Sequence, residues 1–373
     1  MSKIKGLFTG FYGYKNTGDD LFVLLASYAA KKYWKNSNFS ILSANGPIVD
    51  GVEIKYAIQS EQGRLKALVQ KYLTILRANY VILAGGSILH SKPKIGSYRW
   101  LLYLLMRSHI LKVSAIGVSL GPFKTSNDYE DIKKIISNFQ FLVLRDKESY
   151  ALANRMELPF TPVMGADLAF ILPELLKDIN LQLLPRKKNT IGVSVCHFER
   201  YYSGDMDNEK RRELAIFEVL NDLKNKKDIF FKFFVINGHD KKGDEKYTHE
   251  LIHQLELQKD AYEIIPYSVN TLSTVQEISE CSFIFSVRLH AAIIAAALDI
   301  PSILIEYHRK CTDYLDDMGI NDQWRVGDIQ IEKTLILDKI DHILNSHMDE
   351  FYPKRLEKIG QAFTNFDIKE DLA

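Results

Sequence analysis

Short runs of β-branched and aromatic residues alternate along this chain with longer stretches whose apolar positions recur at helical spacing. The runs IKGLFTGFY, FSILSA, YVILAGG, VSAIGVS and FLVLRD read as buried strands, and VMGADLAF closes the series. Helical periodicity fills the intervals at Asp20–Tyr33, Gly63–Ala78, Tyr98–Leu111 and Asp128–Phe139. Such alternation folds as right-handed β-α-β units around a parallel sheet. The pattern pauses over residues 175–189, a polar stretch with Pro173 ahead of it, Pro185 within it and the basic run Arg186-Lys187-Lys188 at its end. It then restarts with IGVSVC, a helix over Arg211–Lys224, FKFFVIN, a helix over Lys246–Leu257, YEIIPY, a short helix around Val275, SFIFS and PSILIEY. The expectation is an α/β protein of two Rossmann-like domains, 1–175 and 186–331, facing each other across a cleft. A C-terminal helical segment, 332–373, is expected to pack across the join. Ligands of such sheets bind where the carboxyl ends of the strands open into loops, so the candidate residues are sought there.

Length supports the division, since 373 residues exceed what one ordinary core organises. Apolar residues at 46% and charged residues at 25% are those of a soluble globular protein. The 48 basic and 47 acidic side chains nearly cancel, which sets aside a charge-driven nucleic-acid binder. Cys196, Cys281 and Cys311 lie in or beside apolar runs without CxxC spacing, so buried thiols in a reducing compartment are expected and a zinc site is not. The start MSKIKGLFTGFYGY lacks the apolar core of a signal peptide. The most apolar helix, YRWLLYLLMRSHILKVSAIG, is interrupted by Arg99, Arg107 and Lys112 and falls short of a membrane span. A cytoplasmic protein is expected. Its Trp100–Met106 run suits a helix packed on the sheet, with peripheral contact at a membrane surface as the other use.

Four stretches carry candidate chemistry. In TGFYGYKNTGDD, residues 9–20, Gly10, Gly13 and Gly18 permit tight turns, and Asp19 or Asp20 can cap the helix that follows. The spacing matches neither GxGxxG nor a P-loop, so a plain capped turn and a ligand loop both satisfy it. The carboxylate pair also suits hydroxyl binding or general-base work. In VILAGGSILH a strand ends in Gly85 and Gly86, which allow a ligand, or simply the next helix, to approach closely. FLVLRDKES places Arg145 and Asp146 at a strand end, either as a rim ion pair or facing a ligand, and Asp167 follows in MGADLAF. The richest stretch is FSVRLHAAIIAAALDIPSILIEYHRK, residues 285–310. It delivers Arg288 and His290 to a helix N-terminus, where unpaired N–H groups and the helix dipole favour an anion. Arg288 adds a planar fork for carboxylate or phosphate, and His290 a proton carrier near neutral pH. The neighbouring strand ends in Glu306, His308 and Lys310, so four cationisable groups converge on one sheet edge. Convergence of this kind points to an anionic ligand. Of the other histidines, His197 ends the strand IGVSVC on the expected cleft side; His90, His239, His249 and His253 read as satisfied or exposed side chains.

Taken together, FYGYKNTGDD, ILAGGSIL, IGVSLGPF, LVLRDKES, GADLAF, FSVRLHAAIIAAALDIPSILIEY and the following Lys310 resemble the polysaccharide pyruvyl transferase family, in family order over about residues 5–320. The resemblance implies a fold similar to two-domain GT-B glycosyltransferases. It further implies transfer of the enolpyruvyl carbons of phosphoenolpyruvate to two hydroxyls of a sugar, forming a cyclic ketal and releasing phosphate. On this resemblance His290 is the general acid and Arg288 a ligand of the donor's anionic groups, supplemented by Arg145 and Lys310. Asn16, Gly18 and Asp19 of the NTGD turn fall near the acceptor, with Asp19 as a base; Gly85, Gly86 and His308 complete the substrate-binding set. No metal or cofactor is implied. The partners implied are phosphoenolpyruvate and a sugar acceptor, for which lipid-linked sugars are natural candidates, with action in the cytoplasm or at the inner face of a membrane. Two departures stand out: the common GGG is Gly85-Gly86-Ser87 here, and His308 occupies a position where the family commonly has Asp. The rival readings are a GT-B glycosyltransferase using a nucleotide sugar, which fold alone does not separate, and a sensor or scaffold with an inactive cleft.

Overall fold

Every strand expected from an apolar run forms, and the strand pairings are parallel. The computed structural model describes residues 5–34, 39–43, 46–47, 64–202, 204–226, 228–328, 331–345 and 348–367. Ile4, Ala44, Gly63 and residues 368–373, at the margins of expected elements, lie outside the described residues. The chain divides into two compact units: residues 1–14, 19–171 and 357–373 form unit 1, and residues 15–18 and 172–356 form unit 2.

The run from the N-terminus contains β1 (Gly6–Thr9), α1 (Thr17–Tyr33), β2 (Phe39–Leu42), α2 (Arg64–Arg77), β3 (Tyr80–Ala84), α3 (Tyr98–Arg107), β4 (Lys112–Val118), α4 (Ser126–Ile136), β5 (Leu142–Leu144), α5 (Lys147–Arg155) and β6 (Val163–Met164). The sheet of unit 1 has the order β2-β1-β3-β4-β5-β6. Right-handed crossovers put α2 to α5 on one face, because the chain steps in one direction from β2 to β6, and α1 on the other. Ile75, Leu102, Met106, Ile132, Ile136 and Ala153 of the four helices bury together against the sheet. On the α1 side the chain end returns: Trp34 Nε1 donates to the Phe366 carbonyl at 3.0 Å, and their rings lie 5.0 Å apart. Thr364 Oγ1 donates to the Met164 carbonyl at 3.2 Å. Helix α3 stops at Arg107 rather than at the expected Leu111, because His109 adopts φ 55° and the Ile110 N–H folds back to the Leu105 carbonyl at 3.0 Å.

The continuing chain contains α6 (Leu172–Asp178), β7 (Lys187–Ser194), α7 (Glu199–Tyr202), α8 (Met206–Lys224), β8 (Phe230–Phe234), α9 (Glu245–Gln254), β9 (Tyr262–Ile265), α10 (Thr271–Ser279), β10 (Cys281–Ser286), α11 (Leu289–Ala297), β11 (Ser302–Glu306), α12 (Arg309–Met318), β12 (Val326–Gly327), α13 (Lys333–Asn345), α14 (Met348–Phe351) and α15 (Arg355–Phe363). The sheet of unit 2 has the order β12-β11-β10-β7-β8-β9. The polar stretch 175–189 is only partly a connection: α6 extends into it, and β7 begins at Lys187, whose N–H reaches the Glu280 carbonyl at 2.8 Å. Helix α8 starts five residues before the expected Arg211, because Asp205 caps it through Asn208 N at 3.2 Å. The two-residue β12 is too short to show any periodicity, yet it supplies the sixth strand. Arg355 donates to the Ala296 and Ala297 carbonyls at 2.8 and 3.1 Å, closing the C-terminal end of α11. Cys196, Cys281 and Cys311 are buried and free, as expected. Among the described residues no helix is long and apolar enough to cross a membrane.

Candidate active site

In unit 2 the apolar strand β10 gives way to Arg288, which is the N-cap of α11 and has no side-chain capping bond. The first N–H groups of α11 therefore meet the strand edge without a side-chain cap on them. Arg288 is itself held from behind: its Nε and Nη2 donate to Asp244 Oδ1 at 2.9 and 2.5 Å, and the Asp244 side chain is fully buried. Asp244 Oδ2 in turn accepts the Asn237 N–H at 2.8 Å, which anchors it to the end of β8. Burial works against the charge on Arg288, but Asp244 outweighs it, so the guanidinium stays charged and fixed in direction. Its Nη1 makes no hydrogen bond among the described residues and remains a donor for a ligand.

His290 occupies the first turn of α11. A Cβ built on Gly18 would fall 2.1 Å from His290 Nδ1, so the imidazole lies against the Gly18 backbone. Residues 15–18 are fastened by Thr17 N donating to the Ile236 carbonyl at 2.9 Å, Gly238 N donating to the Lys15 carbonyl at 2.8 Å, and the Lys15–Asp240 ion pair at 2.6 Å. Asn16 Oδ1 accepts the Gly18 N–H at 3.0 Å, so this side chain shapes the turn on which His290 rests.

His308 and Lys310 stand at the start of α12, on the same edge as Arg288, because β10 and β11 are parallel neighbours. Lys310 is exposed there. The expected set of four positive groups is reduced by one. His308 is the N-cap of α12, with Nδ1 accepting the Lys310 N–H at 3.1 Å, and burial together with Lys310 pulls its imidazole down to about 4. At neutral pH it is an uncharged acceptor. Glu306 does not face the site freely either, being bound by Arg325 through Nε at 3.0 Å and Nη2 at 2.5 Å.

In unit 1, Gly85 and Gly86 take φ 73° and 80°, a region that favours glycine. At Gly85 a Cβ would also strike the Phe22 ring at 2.3 Å, so the helix that comes close here is α1 rather than the next one in the chain. A Cβ on Gly86 would find Asp19 Oδ1 at 3.7 Å. The two acidic residues of the first turn divide their work: Asp20 is buried and accepts the Gly13 N–H at 2.6 Å, whereas Asp19 is only partly buried beside Gly86. Arg145 forms an ion pair, but with Asp167 at 2.7 Å rather than with its neighbour Asp146. Its Nε donates to Ser119 Oγ at 2.7 Å and its Nη2 approaches Ser87 Oγ at 3.4 Å, while Asp146 accepts from Ser119 Oγ at 2.6 Å and caps α5 through Ser149 N at 2.7 Å. With its nitrogens engaged and its side chain 8% exposed, Arg145 ties the strand ends of unit 1 together.

Two further polar clusters lie in unit 2, and of their residues only His197 stood out in the sequence. Arg212, buried in α8, is clasped by Glu199 and by Asp328 at 2.8 Å. His197, Glu209 and Glu213 offer ligand atoms within 4.8 Å of one another. Arg200 binds the same two carboxylates, at 2.9 Å for Glu213, so positive charge already matches them and the cluster is an ion-pair network. Asp244 was missed as well. The signal available for it was an Asp directly ahead of a helix, in a loop that otherwise reads as polar and featureless.

Two parallel six-stranded α/β sheets of this build are the GT-B-like fold. The chain is similar to UDP-N-acetylglucosamine 2-epimerase from Rickettsia bellii, with TM-score 0.60, 11% identity, and coverage of 97% of this chain and 94% of that one. It is similar to a putative UDP-N-acetylglucosamine 2-epimerase from Listeria monocytogenes, with TM-score 0.61, 9% identity, and coverage of 97% and 94%. HepE from Anabaena, in complex with UDP and glucose, matches with TM-score 0.54, 10% identity and coverage of 97% of both chains. At these identities the likeness establishes the fold alone. The sequence defines the family: the model for polysaccharide pyruvyl transferase matches residues 16–309, and the chain belongs to that family. The amylovoran biosynthesis protein AmsJ of Erwinia amylovora is 22% identical over 244 residues, which is 63% of this chain and 58% of that protein's length.

Proposed function

We propose that this protein transfers the pyruvyl carbons of phosphoenolpyruvate to two hydroxyls of a sugar in a polysaccharide precursor, closing a cyclic ketal and releasing phosphate. The observation that carries the reading is the Arg288 guanidinium, held by buried Asp244 at the N-terminus of α11 with His290 on the same turn, inside the matched family region. A donor with a carboxylate and a phosphate calls for fixed positive charge, and Arg288, the α11 N–H groups and Lys310 supply it. His290 gives a proton to the methylene carbon of the donor, leaving an oxocarbenium-like centre at the neighbouring carbon. One sugar hydroxyl adds there and loses its proton; the second displaces phosphate, which departs with the bridging oxygen, and loses its own. Electrostatic stabilisation by prearranged donors is the main contribution of the protein in such a step. We assign Asp19, beside Gly86, to the acceptor hydroxyls, and Arg145 to holding the surrounding strand ends. Phosphoenolpyruvate is a cytoplasmic metabolite, so the reading includes action in the cytoplasm, with a lipid-linked sugar as acceptor.

The test is incubation with phosphoenolpyruvate and a panel of sugar acceptors, following released phosphate and the new ketal methyl group by NMR. Stoichiometric phosphate and ketal are expected. Turnover of a nucleotide sugar, with none of phosphoenolpyruvate on any acceptor, would replace the reading by that of a glycosyltransferase.

A further inference from the structure

One region of unit 1 has a charge pattern that the transfer chemistry does not use. From Gln62 to Asn127 the chain carries ten Lys and Arg and no Asp or Glu. That leaves 38 basic against 47 acidic side chains in the remainder, so the near neutrality of the whole conceals a basic region. Within it, Leu68, Val69, Leu73 and Leu76 of α2 are 44–59% exposed. Single exposed apolar residues are ordinary, but three on one helix face form a patch. Val69, Leu73 and Leu76 follow at i, i+4 and i+7 and share that face, whereas Leu68, seven residues before Ile75, lies toward the other side. Lys66 and Arg77, both exposed, fall along the edge of that same face. The apolar stripe thus points outward with cations beside it, while Ile75 on the other side is buried in the core. The turn before α3 extends the patch: Tyr72 Oη donates to the Gly96 carbonyl at 3.3 Å, and Lys71 Nζ lies 4.0 Å over the Tyr98 ring. These contacts set Ile95, 85% exposed, and the exposed Lys94 beside α2.

We propose that α2 and the adjoining Lys94–Tyr98 turn dock unit 1 on an anionic phospholipid surface. An outward apolar stripe bordered by Lys and Arg, on a stretch of chain that itself carries no Asp or Glu, is the pattern of a helix lying in the lipid interface. Charge complementarity selects the occupant, because the exposed Lys66, Arg77 and Lys94 beside the stripe attract anionic headgroups, and a zwitterionic surface gives them no comparable pull. The proposal deepens the reading of function in one respect: a lipid-linked sugar is presented at such a surface.

The experiment is flotation of the full chain with phosphatidylcholine vesicles, with or without phosphatidylglycerol. Binding to the anionic vesicles is expected to exceed binding to phosphatidylcholine alone by at least about tenfold and to weaken with salt. The double variants K66E/R77E and L73S/L76S should each lose at least about tenfold in partition while melting like the parent, since these side chains are exposed. Equal partition to both vesicle types, no partition, or unchanged binding by both variants would overturn the proposal. So would a vesicle-free doubling of mass that L73S/L76S abolishes, which would assign the face to a second copy of the chain. Ketal formation on a water-soluble acceptor, measured in parallel, separates the two readings, because it depends on the transfer chemistry and not on this surface.

Discussion

The imidazole of His290 rests on the backbone of Gly18, so closely that a single methyl group at residue 18 would fall 2.1 Å from Nδ1 and 2.2 Å from Cγ. Contact at Cγ cannot be relieved by moving only the tip of the ring, so any side chain at residue 18 must turn the imidazole out of place. The glycine of the NTGD turn therefore sets the direction of the proposed acid 272 residues further along the chain.

Gly18→Ala is accordingly expected to lower the transfer rate on the order of a hundredfold, because catalysis is sensitive to displacements of about 1 Å. The strain should lower stability by about 1–3 kcal/mol, leaving a folded protein. His290→Ala should lose the chemistry and keep donor binding. Steady-state kinetics with thermal melting checks both, and a fully active Gly18→Ala enzyme would show that the ring has no fixed position to protect.

Arg288→Ala and Asp244→Ala break the same pair and should both lower stability, so they should separate at the donor. Arg288→Ala leaves the buried Asp244 carboxylate unpaired, costing about 3–5 kcal/mol of stability. It also removes charged hydrogen bonds worth about 1.5–3 kcal/mol, so donor affinity should fall roughly ten- to a hundredfold. Asp244→Ala leaves a half-buried guanidinium without its counter-charge and should cost about 3–5 kcal/mol of stability besides weakening the donor. Isothermal titration and urea unfolding read the two effects. Normal donor affinity in Arg288→Ala would remove it from the anion site.

Arg145→Ala should behave differently again. Its partners Asp167 and Ser119 are in unit 1, and breaking the buried pair is expected to cost about 3–5 kcal/mol, seen as a lowered unfolding midpoint. Stability equal to that of the parent would contradict the engagement of its nitrogens.

His308 makes stability depend on pH. Its folded-state value of about 4 lies below the ordinary 6.5, so the unfolded chain takes up the proton first, and stability is lost as pH falls from about 6.5 toward about 4. Protonation at Nδ1 also abolishes the acceptor that caps α12. His308→Asn retains a capping side chain and removes the titration. Urea midpoints at pH 7 and pH 5 should draw together in the variant, and parallel losses in both proteins would rule out His308 as the source.

Much of the fold could be read from the chain because it depends on neighbours in sequence. Apolar runs of strand length, helical periodicity between them and the pause near residue 180 were enough for two parallel α/β sheets. Where element ends departed from expectation, the cause was a local detail that periodicity does not carry, such as His109 at φ 55° ending α3 or Asp205 capping α8. The placement of the candidate groups was legible to the same extent. A strand running into Arg288 and His290 at a helix start is a local arrangement, and parallel topology alone puts His308 and Lys310 on that edge.

The sequence by itself thus determined the layered α/β class, the family and the chain positions of the candidate groups. Only the tertiary structure decided which charges remain and what holds them. Asp244 lies 44 residues from the arginine it fixes, and Arg145 chooses Asp167, 22 residues away, over the Asp beside it. His308 looks cationic as a letter in the chain and is neutral once buried. The reason is physical: secondary structure is written in short-range periodicity, whereas the charge, direction and partners of a side chain depend on desolvation and on contacts that exist only after the chain has folded.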